Sequence, residues 1–412
     1  MPSMAAEECI MRAGFALLCL AYVLSQFFRA FLAVLSGVLA HDIGAGPGDL
    51  AFASGMWFIA FAAMQLPVGW ALDRIGPRRT AGVLLLLGGG GGAALFAAAA
   101  APLHVTIAMA LIGVGCSPVL MASYYIFARE FPPARFATLA ALMLGAGSLG
   151  NLIASWPMAL AAETLGWRAS LIGLAALAAA AAAGILITVR DPARAAGDGR
   201  GSVLDLLRIP AIWTVLPLMF VAYAPAAALR GLWAGPYLAE IFALDTAQVG
   251  QATLVMGVAM IAGTLCYGPL DRIFRTRKWV IFFGNLIALA ALGALCLWPA
   301  ASLAGAVAAL AVIGFFGASF PVIVAHGRSF FPDHLAGRGV TLLNLFGIAG
   351  VGLAQFVTGP LHAAASAAAK GAGTGTGTGG DPAAGYVAVF AFFALTLLAG
   401  LAIYLFSRDN MG

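Results

Sequence analysis

Twelve long apolar runs dominate this chain of 412 residues and restrict the folds that are open to it. A helix that crosses a bilayer needs about 20 mostly apolar residues. Only 9% of the residues are charged, where a soluble domain carries roughly a quarter. We therefore predict an all-α membrane protein with twelve transmembrane helices. The expected helix centres, in chain order, are Leu24, Ala60, Gly90, Gly115, Gly147, Leu177, Pro225, Val258, Ala288, Gly314, Gly347 and Leu395.

The basic residues predict how these helices are oriented. With a cytoplasmic N-terminus, all but four of the 21 lysines and arginines fall on the cytoplasmic side; Arg168 and Lys370 fall outside, and Arg29 and Arg230 lie within helices. Excess positive charge marks cytoplasmic loops. We expect a multi-pass plasma-membrane protein with both termini cytoplasmic, in a bacterial inner membrane because the loops and termini are short. The net charge of +5 then reflects topology, so the lipid bilayer is an expected partner and nucleic acid is not.

The second half of the sequence repeats the first at an offset near 200 residues. Paired positions that keep their residue types are Asp73-Arg74 with Asp271-Arg272, Arg29 with Arg230, Tyr22 with Tyr223, and Arg129 with Arg328. Several anchors in one register make a chance match improbable. We predict two pseudo-symmetric six-helix bundles, residues 1–189 and 211–412, joined by a cytoplasmic linker at 190–210.

The loop after helix 2 carries a motif, GWALDRIGPRR, which begins at Gly69, and a degenerate copy, GPLDR, follows helix 8. With twelve helices in a 6+6 repeat, this loop resembles the signature loop of the major facilitator superfamily. The resemblance implies alternating access, in which two bundles rock about a central site. It also implies that Asp73 holds the cytoplasmic gate closed through a helix N-terminus and a nearby arginine. The residues to which it assigns a gating role are Gly69, Asp73, Arg74, Gly76, Arg78, Asp271 and Arg272.

Two arginines lie inside predicted helices at matching places in the two halves. Arg29 on helix 1 and Arg230 on helix 7 each follow a tyrosine by seven residues, so each shares a helix face with Tyr22 or Tyr223. No Asp or Glu occurs in a predicted membrane core to neutralise them. A charge at this depth is costly and by default indicates a functional site. Because a guanidinium binds carboxylate or phosphate through two hydrogen bonds, these residues predict a site for an anion.

Further polar side chains are candidate substrate ligands on helices 1, 4, 5, 7 and 11, namely Gln26, Tyr124, Asn151, Trp233 and Asn344. Buried amides and hydroxyls also bond across helices, and aromatic rings also serve as packing, so a structural role stays open for each. For Arg29 and Arg230, the alternative role is a cation that bonds to backbone carbonyls at a helix break.

The leading interpretation is a secondary or exchange transporter of a small organic or phosphorylated anion, acting as a monomer without a cofactor. Paired arginines on helices 1 and 7 resemble those of the organophosphate:phosphate antiporters within the superfamily. A second interpretation is a copper or other metal importer, because Met256 and Met260 lie one turn apart on helix 8 and thioethers suit Cu(I). A third is export of amphipathic compounds or drugs. A sensor on this scaffold and an enzyme are disfavoured, and the coupling ion and direction of transport stay open.

Overall fold

A computed structural model describes residues 4–131, 133–192, 206–332, 336–373 and 381–409. The described chain is helical and contains no β-strand. It forms twelve helical units, and each of the twelve predicted centres lies in a unit of its own, which confirms the all-α fold class. The units are α1 (Met4–Phe27 and Leu32–Ile43), α2 (Pro47–Arg74), α3 (Pro77–Ala97), α4 (Pro102–Glu130), α5 (Pro133–Ile153 and Trp156–Thr164), α6 (Trp167–Thr188), α7 (Pro210–Phe242), α8 (Thr246–Phe274), α9 (Lys278–Leu297), α10 (Leu303–Arg328), α11 (Ala336–Gly373) and α12 (Ala384–Tyr404).

Breaks of two or more residues divide α1 and α5 into the two parts given above. Among the described residues, ten helices are long and apolar enough to cross a membrane, and α1 becomes an eleventh when its two parts, which meet at 55°, count as one span. In α5, residues 154–155 separate the two parts, and its described apolar stretch, Leu142–Ile153, is shorter than a full span. Pro157 favours this break, because a proline has no N–H to donate to the preceding turn.

The helices form two bundles that repeat the same packing. In the first bundle, α1 packs against α5 and α6, and α2 packs against α4; in the second, α7 packs against α11 and α12, and α8 against α10. Equivalent glycines permit the closest contacts. An added Cβ at Gly150 would overlap the carbonyl oxygen of Val23, and one at Gly350 would overlap that of Phe220. These paired approaches confirm the pseudo-symmetric architecture. Positions 193–205 of the predicted linker lie outside the described residues.

The bundles meet on one side of the molecule. We call the side with both chain ends the termini face and the opposite side the distal face. In the distal half, α2 packs against α11, α1 against α7, and α5 against α8. Small residues allow this approach: Gly359 lies against Gly48, and Gly235 lies against the carbonyl of Ala33. We call these contacts between α1 or α2 and α7 or α11 the distal seam.

Two carboxylates on the termini face hold helix N-termini at equivalent places in the bundles. Asp191, after α6, accepts a hydrogen bond from the backbone N–H of Arg78 at 2.8 Å. Asp409, after α12, accepts hydrogen bonds from the backbone N–H groups of Arg277 at 3.2 Å and Lys278 at 3.1 Å. Each carboxylate therefore satisfies unpaired amides at the start of the helix that follows a motif loop, α3 or α9.

Replacing Asp409 with Asn is expected to destabilise the protein by about 0.5–1 kcal/mol at pH 7, because asparagine keeps an accepting oxygen but loses the negative charge that is favourable at a helix N-terminus. Partial burial acts to raise the pKa of Asp409, but hydrogen bonds from the Thr276 side chain and from the backbone of Lys278 and Arg277 outweigh it, so the pKa is lowered. A carboxyl whose pKa is lowered in the folded state stabilises the fold at pH values above its usual pKa, about 3.9. This contribution is lost as the pH falls through the pKa of the folded state.

The measurement compares melting temperatures in detergent at pH 7 and at successively lower pH. We expect the difference between wild type and Asp409→Asn to shrink as the pH falls below about 4. The exposed Glu163→Gln serves as a charge-matched control and should melt like the wild type. A difference that is the same at every pH would mean that the carboxylate charge does not stabilise α9.

Candidate functional site

A cavity of ≈ 250 Å³ lies between the bundles, midway along the helices. Seven of the nine predicted substrate ligands line it, namely Tyr22, Gln26, Arg29, Asn151, Tyr223, Arg230 and Asn344. Apolar side chains such as Phe61, Met260 and Phe320 complete the wall. Leu144 and Thr264 also line the cavity and are exposed. Because these two residues lie on the termini side of Asn151 and Gly257, the cavity opens toward the termini face.

Arg29 occupies the break in α1, where residues 28–31 form a turn. Its guanidinium lies 4.9 Å from the ring centroid of Phe61 and 5.1 Å from that of Trp57. Such faces attract a cation through the ring quadrupole. Its Nε is buried without a hydrogen-bond partner, and none of the described carboxylates pairs with it. Arg29 is thus held by aromatic rings while its hydrogen-bond donors stay available to the cavity.

Arg230 lies in a π-helical turn of α7, Leu229–Trp233, and only 4% of it is exposed. Its Nη1 donates to the side-chain oxygen of Asn151 at 3.1 Å, and its Nη2 donates to Ser155 Oγ at 3.1 Å and to the backbone oxygen of Asn151. Gly257 leaves room for the guanidinium, since an added Cβ there would lie 3.0 Å from Nη2. Arg230 therefore joins α7 of the second bundle to α5 of the first.

The break in α5 explains why the carbonyl of Asn151 can accept from Arg230. The Ser155 N–H donates to Leu152 at 3.1 Å, so it does not take the regular bond four residues back to Asn151. The sequence left open a structural role for this arginine, in which the cation bonds to a backbone carbonyl at a helix break. Arg230 makes a bond of this kind. The break that frees this carbonyl lies on α5, across the bundle interface from Arg230.

Two tyrosines complete the polar side of the cavity. Gln26 donates to Tyr22 through a side-chain hydrogen bond of 3.0 Å, and the Tyr22 ring packs against Gly147 of α5. Tyr223, the counterpart of Tyr22, packs against Phe320 of α10 with ring centroids 5.2 Å apart. Tyr22 and Tyr223 therefore both lie beside the cavity, one in each bundle, and each is near the arginine of its own helix.

Trp233 and Tyr124 lie outside the cavity lining. Trp233 is fully buried within the second bundle, where its indole N–H donates to Gln355 at 3.0 Å and Thr358 at 3.1 Å on α11. Trp233 is the last residue of the π-helical turn that contains Arg230. A π-helical turn holds more residues than an α-helical one, so the Trp233 side chain points away from the face that regular α-helical spacing predicts. The structure instead adds Ser117, Ser148 and Thr264 to the lining. Ser148 shares a helix face with Asn151, which is the signal that could have identified it.

The motif loops make contacts within their own bundles. Asp73 is exposed (68% of its side chain) and lies 4.0 Å from Arg129 of α4. Asp271 forms an ion pair with Arg277 at 3.2 Å. Gly76 requires a glycine, because its φ of +107° is in the left-handed region and an added Cβ would lie 2.7 Å from Asp191. Gly69 faces open space, and the side chain of Arg272 lies outside the described residues.

The methionines of the metal alternative have different surroundings. Met256 is fully buried and packs against Gly314 of α10, while Met260 lines the cavity. In the part of the chain that the structure describes, no three His, Cys, Asp or Glu side chains lie close enough together to hold a metal ion. The contact of Met256 with a glycine is the packing role usual for methionine.

Comparisons with known proteins agree with this architecture. The family model described as Major Facilitator Superfamily matches residues 18–232, just over half of the chain. A solved bacterial homolog of the human lysosomal transporter Spinster, inward-facing and occupied, superposes with a TM-score of 0.81, 17% identity, and coverage of 95% of this chain and 96% of that one. A D-xylose-proton symporter gives a TM-score of 0.74 and 16% identity over 97% and 98% of the two chains.

The nucleoside transporter NupG gives a TM-score of 0.75 and 13% identity over 95% and 99% of the two chains. No curated protein is a significant match. At these identities the solved structures show a shared fold. The family match, the twelve helical units in two pseudo-symmetric bundles and the central cavity together show that this multi-pass membrane protein belongs to the major facilitator superfamily of transporters.

Proposed function

We propose that this protein transports a small organic or phosphorylated anion by alternating access, with the central cavity as its binding site. The observation that carries the proposal is the pairing of Arg29 and Arg230 on one cavity, and among the described residues that line it there is no Asp or Glu. Two guanidinium groups in a site of low polarity favour a negatively charged occupant. The volume of ≈ 250 Å³ suits a small solute, since it lies near the lower end of typical ligand pockets, roughly 300–1,000 Å³.

The two arginines have different roles in this proposal. Arg29 is the principal ligand, because its hydrogen-bond donors have no acceptor among the described residues and the Trp57 and Phe61 rings hold its position. Arg230 bonds to Asn151 and Ser155 of the first bundle. An anion that reaches Arg230 competes with these partners, so binding weakens a contact between the bundles. Substrate binding is thereby linked to the rocking equilibrium.

The positive-inside rule supports the proposed orientation, with both termini and the termini face in the cytoplasm, in a bacterial inner membrane. The cavity, which opens toward the termini face, then faces inward. The exposed Asp73, whose ion pair with Arg129 lies within one bundle, is consistent with an open cytoplasmic gate. We further propose that residues 1–189 and 211–412 move as two units joined by 190–210, and that the protein acts as a monomer without a cofactor.

A thermal-shift screen on purified protein tests the function. Carboxylates, inorganic phosphate and sugar phosphates are compared with neutral sugars and nucleosides, on wild type, Arg29→Gln and Arg230→Gln. A ligand of the native state at 100 times its Kd stabilises by about 2.7 kcal/mol. We expect an anion to raise the melting temperature of the wild type and to have no effect on Arg29→Gln.

The control variant Lys370→Gln removes one positive charge from an exposed site and should respond like the wild type. Should a neutral solute stabilise the wild type and both arginine variants equally, the arginines would not be substrate ligands. Stabilisation of all three by Cu(I), with no effect of any anion, would favour the metal alternative.

A further inference from the structure

A second buried polar cluster lies on the distal side of the cavity, at the meeting of α7, α11 and α12. Its centre is His362 of α11, which is only 9% exposed. The imidazole lies between two aromatic rings, with centroid distances of 4.6 Å to Tyr386 of α12 and 5.1 Å to Trp233 of α7. None of these three residues lines the central cavity. The cluster is therefore separate from the proposed anion site.

His362 has an unused nitrogen. Its Nε2 is buried without a hydrogen-bond partner. The other buried histidine, His326, has both ring nitrogens bonded, at 2.9 Å to the backbone oxygen of Arg408 and at 2.7 Å to the Tyr404 hydroxyl. A buried polar atom without a partner costs stability, so its presence calls for an explanation. His362 can accept a proton at Nε2 without breaking an existing hydrogen bond.

The cluster is directly connected to the distal seam. His362 packs on Trp233, and the indole N–H of Trp233 donates to Gln355 and Thr358, which precede His362 on α11 by about two turns and one turn. Gln355 in turn donates to Ser54 of α2 at 3.3 Å, across the bundle interface. A change of charge at His362 thus acts on the tryptophan that donates to Gln355, and Gln355 is the residue that bonds across the bundle interface.

We propose that His362 is a proton-binding site that couples proton uptake from the distal side to opening of the distal seam. The proton comes from water on the distal face and binds Nε2. In the closed seam the resulting cation would be buried between two rings, which is unfavourable, whereas an open seam hydrates it. Protonation therefore favours the state that is open to the distal face.

The groups around His362 are consistent with this direction. On α12 the ring faces the neutral Tyr386, and on α7 the titratable groups nearby are Tyr237, whose hydroxyl donates to Pro299, and the exposed Glu240, which interacts with Tyr386. On its own helix, the exposed Lys370 lies about two turns farther along. None of the described carboxylates forms an ion pair with the buried ring, so a cation there has no direct charge partner in the closed seam.

The test measures the opening of the seam as a function of pH without any substrate. Spin labels are placed at Leu165→Cys after α5 and Leu297→Cys at the end of α9, both exposed on the distal face, in a background without the native cysteines. Lowering the pH from 8 to 5.5, the range in which a histidine changes charge, is expected to increase the population with a long label distance. If only the open conformation binds the proton, the ratio of open to closed molecules changes by up to about tenfold per pH unit.

His362→Gln is expected to remove this pH response, while His104→Gln, an exposed histidine on the distal end of α4, should keep it. Because no substrate is added, the response does not depend on binding at the anion site, which separates this result from the proposed function. His362→Asn provides a second variant if His362→Gln is not monodisperse in gel filtration. A wild type without a pH response, or a His362 variant with the full response, overturns the proposal.

Discussion

Arg29→Gln is expected to lower the affinity for the transported anion by at least about 100-fold, equivalent to about 3 kcal/mol, within the range for removing one partner of a buried charge pair. The guanidinium has no carboxylate partner among the described residues, so an anion in the cavity supplies its main electrostatic interaction. Glutamine removes the charge and one of the two parallel hydrogen bonds that a guanidinium offers to a carboxylate or phosphate. Equilibrium binding of the anion identified by the thermal-shift screen measures the effect.

Arg29→Lys separates charge from geometry at this position. The ammonium keeps the charge and can still lie over the faces of Trp57 and Phe61, but it cannot make a bidentate contact. We therefore expect an affinity between those of wild type and Arg29→Gln. Unchanged affinity in a folded Arg29→Gln variant would show that the guanidinium only fills the break of α1 against the two rings.

Much of the architecture can be predicted from the sequence because the underlying physical constraints are local. The length of each apolar run is set by the bilayer, so twelve helix centres could be placed without knowledge of any contact. The offset near 200 residues paired Arg29 with Arg230, and the structure places both on one cavity. The seven-residue spacing placed Tyr22 and Tyr223 beside it, because a regular α-helix returns to the same face after two turns.

The parts that could not be predicted depend on departures from regular helix geometry and on contacts between bundles. The π-helical turn at Leu229–Trp233 turns Trp233 away from the cavity and toward α11 of the same bundle. The hydrogen bonds of Arg230 depend on the break before Trp156–Thr164, which exposes a carbonyl in the other bundle. The capping carboxylates Asp191 and Asp409 are the second residue of an Arg-Asp dipeptide in each half, but their offset of 218 residues differs from that of the other repeated positions.

The distal seam leads to a second large expected effect, at Gly235 of α7. An added Cβ at this position would overlap the carbonyl oxygen of Ala33 in α1 and lie 3.0 Å from Ser36 Oγ. The obstacle is a backbone atom, so no side-chain rotation can relieve it. At Gly55, by contrast, the nearest atoms belong to the ring of Phe356, at 2.6 Å, which can move. Gly235→Ala should therefore prevent the seam from closing, whereas Gly55→Ala should have a weaker effect.

The label pair at Leu165→Cys and Leu297→Cys is expected to report a long distance in Gly235→Ala at every pH, and transport of the anion should be lost. Alanine favours a helix over glycine by up to about 1 kcal/mol, so weakened helix formation cannot be the cause. Gly293→Ala on α9, where an added Cβ meets nothing within 4 Å, is the matched control and should behave like the wild type. A steric penalty of about 3 kcal/mol already changes the ratio of two states about 100-fold. A folded variant that keeps the wild-type label distance would therefore mean that α1 and α7 move apart locally while the distal face stays closed.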